Sequence, residues 1–228
     1  MPPLTTVAAM GLVRLSASGD RLLTFVAGGN CNGNFDTRTG ASLPALEHRR
    51  EIMMIYDIAW LGETHAVGTV TAVEHRGQPN SEERIVLWDA ATGKIQRFAR
   101  HDSLLKCLAA APDGRRFAEA GDNKMIRLRD ATTLAVQKEF RAHDAAITSL
   151  AWHPTRAMLA SASADLTIKL WDADTGRPLE ELRGPVKPVS ALHFSPGGTR
   201  LLSAGEDQTR VWEPAALQTE ESVRAAAK

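Results

Sequence analysis

Cysteine is scarce in this 228-residue chain: Cys31 and Cys107 stand far apart, with no CxxC or Cys-His spacing near either. That excludes a disulfide scaffold and a thiolate zinc site. No charge of one sign prevails, since 27 basic residues meet 27 acidic ones and the formal net charge is +0. Bulk electrostatic capture of nucleic acid or anionic lipid needs a basic excess and is not expected, although a zero sum leaves room for a local patch. Aromatic residues make up 5% of the chain, too few to suggest an aromatic cage for modified peptides. No window approaches the roughly 18 apolar residues of a membrane span. The opening "MPPLTTVAAMGLVRLSASGD" lacks the charged and apolar regions of a secretory signal. The expected compartment is the cytosol. The phosphate-cradling patterns GxxxxGK[ST] and GxGxxG, the metal pattern HExxH and the nucleophile elbow GxSxG are missing too. No cofactor or metal is therefore expected.

What the chain does have is a repeat. "LWDADTG" at 170–176 returns as "LWDAATG" at 87–93, with weaker copies "NFDTRTG" (34–40), "LRDATTL" (128–134) and "VWEPAAL" (211–217). Their acids, Asp36, Asp89, Asp130, Asp172 and Glu213, are spaced 53, 41, 42 and 41 residues apart. The long first interval is explained by a polar insertion, "EHRGQPNSEE" (74–83), between the strand "HAVGTVTAV" (65–73) and the strand "RIVLWDA" (84–90). Each period holds short, alternating or β-branched segments bounded by turn residues. The fourth copy is the clearest: "ITSLAWHP" (147–154), "MLASASAD" (158–165), "TIKLWDAD" (167–174) and "PLEELRG" (178–184). Helical periodicity is confined to the tail from 216 to 228, expected to be a short helix or disordered. The reading is all-β: five small antiparallel sheets over 1–215, with no second domain.

His143, then "ITSLAWHP", then "LASASAD", then "TIKLWD" resembles the WD-repeat family of β-propellers. The resemblance covers nearly the whole chain, and the fourth copy matches throughout. The third copy departs from it with Arg129 in place of Trp, and the first with Phe35. The resemblance implies four-stranded blades, each held by a hydrogen-bond chain of His, Ser or Thr, Asp and Trp. In the fourth copy these are His143, either Ser161 or Ser163, Asp165 and Trp171; alternation places both serines on one face and leaves the choice open. The other copies lose members. The third has His101 with Asp122 or Asn123 and is expected to carry Ala or Gly at the hydroxyl positions. The second has His48 and Trp88, and the fifth has Trp212 and Asp207 with Pro185 where the His belongs. A Ser-His-Asp hydrolase triad is the competing reading, but the serines lie mid-strand and the set decays from copy to copy, so reinforcement is expected.

The resemblance also implies a non-enzymatic scaffold that offers a protein or peptide partner the face built from two loop sets. One set enters the first strand of each repeat (47–51, 100–103, 142–145 and 185–188). The other joins the second and third strands and includes 74–83. Arg49, Arg50, His75, Arg76, Glu82 and Glu83 are the expected contact residues. The alternative is a propeller enzyme of hydrolase or glycosidase type with acids at a central channel. Five copies are fewer than the seven with which the family typically closes. The chain is then a small closed ring, an open arc completed by a partner or second copy, or part of a longer protein. The fifth copy stops after its third strand; its fourth could come from "PLTTVA" (3–8) or from 217–223.

Overall fold

The computed structural model describes residues 11–16, 18–26, 31–47, 52–73, 81–206 and 208–218. Among them every long element is a strand, and every strand pairs antiparallel with its neighbour in sequence. Alternation along each segment and a tight turn between segments dictate this, because a polar turn after about six residues returns the chain beside itself. Five sheets result, and the chain divides into two compact units, Met1–Asp102 and Ser103–Lys228.

The first unit holds two sheets. Sheet one is β1 (Gly11–Leu15), β2 (Arg21–Val26) and β3 (Cys31–Asp36); sheet two is β4 (Ile52–Leu61), β5 (His65–Val73), β6 (Ser81–Asp89) and β7 (Ile95–His101). Leu23 and Leu46 pack against Ile55, Val70, Val86 and Trp88, all withdrawn from water. Polar contacts cross between the two sheets. Arg14 reaches Asp57 at 2.8 Å and the Ile58 carbonyl at 3.1 Å, and the Trp60 indole donates to the Arg14 carbonyl at 2.9 Å.

The second unit holds three sheets. Sheet three is β8 (Leu105–Ala110), β9 (Arg116–Gly121), β10 (Met125–Asp130) and β11 (Val136–Arg141). Sheet four is β12 (Ile147–Trp152), β13 (Met158–Ser163), β14 (Thr167–Asp172) and β15 (Pro178–Arg183). Sheet five is β16 (Val189–Phe194), β17 (Leu201–Gly205) and β18 (Thr209–Trp212), followed by a 3-10 turn, Ala215–Leu217. One apolar layer joins sheets three and four through Ala118, Ile126, Leu128, Leu159 and Trp171. A second joins sheets four and five through Ala160, Ile168, Leu170, Leu201 and Leu217. No sheet of this size covers both of its own faces, so face-to-face stacking within each unit is what hides the apolar side chains.

The all-β, five-sheet reading of the repeats holds, with two changes. β6 starts at Ser81 rather than Arg84, because Ser81, Glu82 and Glu83 pair with Val73, Ala72 and Thr71. The insertion therefore lengthens a hairpin and leaves 74–80 as its connection. The packed part of the chain also continues past residue 215, since Leu217 is fully buried.

One turn recurs in the first four copies. Asp36, Asp89, Asp130 and Asp172 each accept hydrogen bonds from the backbone N–H and the hydroxyl of the threonine three residues on. That threonine N–H, then its hydroxyl, holds each carboxyl below its ordinary range. The next residue closes the turn with a left-handed backbone: Gly40, Gly93 and Gly176 at φ 71, 71 and 77, and Leu134 at φ 62. This explains the Asp-x-x-Thr-Gly signature, because Asp caps the turn and glycine adopts its last residue without strain.

Candidate interaction face

In sheet four the polar side chains connect without a gap. The Trp171 indole N–H donates to Ser161 Oγ at 2.8 Å, and Ser161 Oγ lies 2.8 Å from His143 Nε2. His143 Nδ1 is 2.9 Å from Asp165 Oδ2, and the Asp144 N–H donates to the same oxygen at 3.1 Å. Asp165 Oδ1 accepts from the Thr167 hydroxyl at 2.6 Å. A carboxylate only accepts, so the imidazole proton sits on Nδ1, and the Ser161 hydroxyl donates to Nε2. Every donor in the chain then has one acceptor. Burial holds His143 below its ordinary value, against the pull of Asp165. Burial also pushes Asp165 up, but the Thr167 hydroxyl, the Asp144 N–H and His143 outweigh it and hold the carboxyl at about 2. Ser163 stands apart from the chain: its hydroxyl donates to the Ala145 carbonyl and accepts from the Asp165 N–H.

The other sheets keep the frame and change its members. In sheet five the Trp212 indole donates to Ser203 at 2.8 Å; Asp207 lies outside the described residues. In sheet two Gly68 occupies the hydroxyl position, where a Cβ would stand 3.0 Å from the Trp88 ring. Trp88 donates instead to the Glu47 carbonyl at 3.1 Å, and His48 lies outside the described residues. Sheet three corrects a sequence expectation: the strand register puts Glu119, not Ala or Gly, at the position of Ser161. Glu119 Oε1 lies 3.0 Å from the Nε of Arg129, which replaces the tryptophan, and both side chains are buried. Its turn uses Asn123, whose side chain caps the Met125 N–H at 3.1 Å as Asp165 caps Thr167.

These contacts bring two loops to the same end of sheets three, four and five. In sheet four the His143–Asp165 pair ties the loop entering β12 to the β13–β14 turn. In sheet three the Asp122 N–H donates to the Leu104 carbonyl, and Lys106 meets Asp122 at 2.6 Å. In sheet five Lys187 and Glu206 approach to 3.2 Å. Two aliphatic side chains stand out at these tips. Leu166 is 37% exposed with its backbone left-handed at φ 68, and Val186 is 69% exposed.

Of the residues expected to contact a partner, Arg49, Arg50, His75 and Arg76 lie outside the described residues. Glu82 and Glu83 lie in β6. Glu82 is engaged by Arg84 at 2.8 Å and by Arg100 at 3.2 Å. Glu83 accepts from the Thr71 hydroxyl, and burial raises its carboxyl above the ordinary range. Both carboxylates serve the sheet. Among the described residues, no group of three His, Cys, Asp or Glu side chains converges as a metal site would require. No helix there is long and apolar enough to cross a membrane.

Residues 135–172 and 176–213 match the family described as WD domain, G-beta repeat. Residues 135–213 carry WD repeats. The two matched stretches run from β11 to the end of β14, and from the turn before β15 through sheet five. They contain the Trp171–Ser161 and Trp212–Ser203 hydrogen bonds, so family match and geometry agree on which repeats are most regular. The first three strands of sheet three, with Arg129 and Glu119, lie outside the match. No curated protein matches the chain.

Proposed function

We propose that the chain is a non-enzymatic scaffold whose loop-bearing sheet ends receive a protein or peptide partner. The observation that carries this reading is Leu166. A leucine held left-handed at φ 68 and partly open to water loses energy on both counts, about 1 kcal/mol for the backbone alone. Lys124 occupies the same turn position in sheet three at φ 66, so the turn itself does not demand an apolar side chain. Val186 at a neighbouring tip adds apolar area to the same kind of surface. The polar residues that could serve chemistry are already spent on the network of sheet four, which disfavours the hydrolase or glycosidase alternative. Arg49, Arg50, His75 and Arg76 belong to the same proposal, as polar residues in the loop sets of sheet two. The expected compartment for such a scaffold is the cytosol.

Leu166→Asn tests it, because asparagine tolerates the left-handed turn and removes the apolar contact. Folding stability is expected to hold or rise, while affinity-captured partners are lost from Leu166→Asn and Val186→Ser and reduced when 74–80 becomes a tight turn. Unchanged capture by all three variants would refute the placement of the face.

A further inference from the structure

We infer that His153 is an acid-sensitive latch, holding sheet five against sheet four while its imidazole is neutral. The ring sits in the turn between β12 and β13 and is 1% exposed. Its Nε2 lies 3.0 Å from the carbonyl of Gly198, in the turn between β16 and β17. A carbonyl only accepts, so the ring proton sits on Nε2 and leaves Nδ1 bare. Nδ1 accepts the backbone N–H groups of Thr155 at 3.2 Å and Arg156 at 3.0 Å.

The turn of sheet five is shaped to receive this ring. A Cβ on Gly198 would stand 2.3 Å from Cε1 and Nε2 of His153, so only glycine lets the two turns approach. Phe194 covers the imidazole from β16, with ring centroids 5.2 Å apart.

A second grip on sheet five starts from the same turn of sheet four. Arg156 Nη1 donates to the Ala216 carbonyl, beyond β18, at 3.2 Å. The two N–H groups bound to Nδ1 belong to Arg156 itself and to its neighbour, so the bare nitrogen fixes the turn from which Arg156 reaches. A proton on Nδ1 would face two donors and accept from neither. It would also bury a charge, since no carboxylate bonds the ring among the described residues. One proton therefore loosens both grips.

Capping the turn does not require an imidazole. Ser16, Ala111 and Ser195 hold the same place after β1, β8 and β16. The two serine hydroxyls accept from Arg21 and Arg200 of their own turns, at 3.2 and 3.1 Å. What His153 adds is the bond to the next sheet and a group that titrates near neutrality.

Burial holds the ring below its ordinary value; the Gly198 carbonyl favours the proton, and the charge of Arg156 opposes it. The other charged groups at this end of sheet five are engaged: Glu180 accepts from the Ala216 N–H at 2.8 Å, and Arg200 meets Glu213 at 2.8 Å. With the folded value under 6.5, the opened form takes up the proton first, so the latch is fully present above about pH 6.5 and weakens below it. Opening uncovers an apolar layer, Ala160, Ile168 and Leu170 on one side and Val189, Leu192 and Phe194 on the other.

Hydrogen exchange of β16 to β18 in the full chain tests this, at about pH 7.5 and about pH 5.5, corrected for the intrinsic exchange rate. The expected result is opening faster by up to about tenfold at the lower pH, the factor for one proton taken up from 6.5, at rates still ahead of β8 to β15. Its midpoint should coincide with the titration of the His153 ring followed by NMR. His153→Asn keeps an acceptor for the turn, loses the reach to Gly198 and cannot titrate. Its β16 to β18 should exchange at about the parent's acid rate at both pH values. The inference is overturned if β16 to β18 open no faster in acid, if they open only together with β8 to β15, or if His153→Asn keeps the parent's pH dependence. Should His153→Asn fail to fold, the parent chain decides: an exchange midpoint that follows His143 or His193 instead of His153 overturns the inference.

Discussion

Replacing Glu119 by serine leaves the Arg129 guanidinium buried without its carboxylate, and replacing Arg129 by tryptophan strands the carboxylate in the same way. The two lie 3.0 Å apart, with the Glu119 side chain at 0% and the Arg129 side chain at 7% exposure. Arg129 Nη1 also donates to the Leu134 carbonyl at 2.7 Å, so losing the pair disturbs the neighbouring turn. Breaking a buried pair from one side costs about 3–5 kcal/mol, a large share of the roughly 5–15 kcal/mol that stabilises a domain. With a urea slope of about 1–3 kcal/mol per molar, each single variant should move the unfolding midpoint down by about 1 M or more. Glu119→Ser together with Arg129→Trp recreates the Ser161–Trp171 pairing of sheet four and should recover most of that loss. A coupling of at least about 2 kcal/mol is therefore expected in a double-mutant cycle followed by circular dichroism. Single variants costing under about 1 kcal/mol, or losses that simply add, would refute the idea that these residues replace one another's partners.

Ser161→Ala should cost about 1–3 kcal/mol, since it strands both the Trp171 indole and His143 Nε2; Ser163→Ala should cost less, and denaturant titration of the pair ranks them. Gly198→Ala should destabilise the chain strongly, because the new Cβ would lie 2.3 Å from the His153 ring at a residue with φ +71; thermal melting reads the drop. Acid should weaken the second unit in two steps. His143 is depressed below 6.5, so the unfolded chain takes up its proton first, and stability falls as pH drops below about 6.5. Asp165, at about 2 against 3.8 unfolded, adds about 2 kcal/mol above pH 4 that disappears between pH 4 and 2. The melting temperature of Asp165→Asn should accordingly depend less on pH in that lower window than that of the parent chain, the remainder coming from the turn aspartates.

The period of 41 or 42 residues made the strands of sheets three, four and five legible, because an acidic residue after the third strand marks a fixed point in each, as Asp130, Asp172 and Glu213. What stayed hidden depended on register. Ser161 and Ser163 share a face, and only the pairing of Ser161 with Lys169, beside Trp171, decides which hydroxyl meets the indole. Glu119 escaped notice because a buried carboxylate reads like a solvated one until its partner in the next strand is known. "SEE" (81–83) looked like loop for the same reason: its polar residues join a strand whose mates, Thr71 and Ala72, lie across the hairpin. Pairing across a gap leaves no local trace in composition.

Trp60 and Trp152 occupy the same place at the ends of β4 and β12, and their indoles donate to Arg14 and Ala109, backbone carbonyls of the preceding sheet. Phe194, at that place in sheet five, has no donor; Thr148 and Ser149 of β12 bond the Val189 carbonyl and the Leu192 N–H instead. In a stacked array these bonds act as coupling constants between neighbouring repeats. Sheets one and two, and sheets three and four, should melt as cooperative pairs. Sheet five is tied by Thr148, Ser149 and the His153 imidazole, 3.0 Å from the Gly198 carbonyl, rather than by an indole, and is the repeat expected to fray first when the array is pulled or heated.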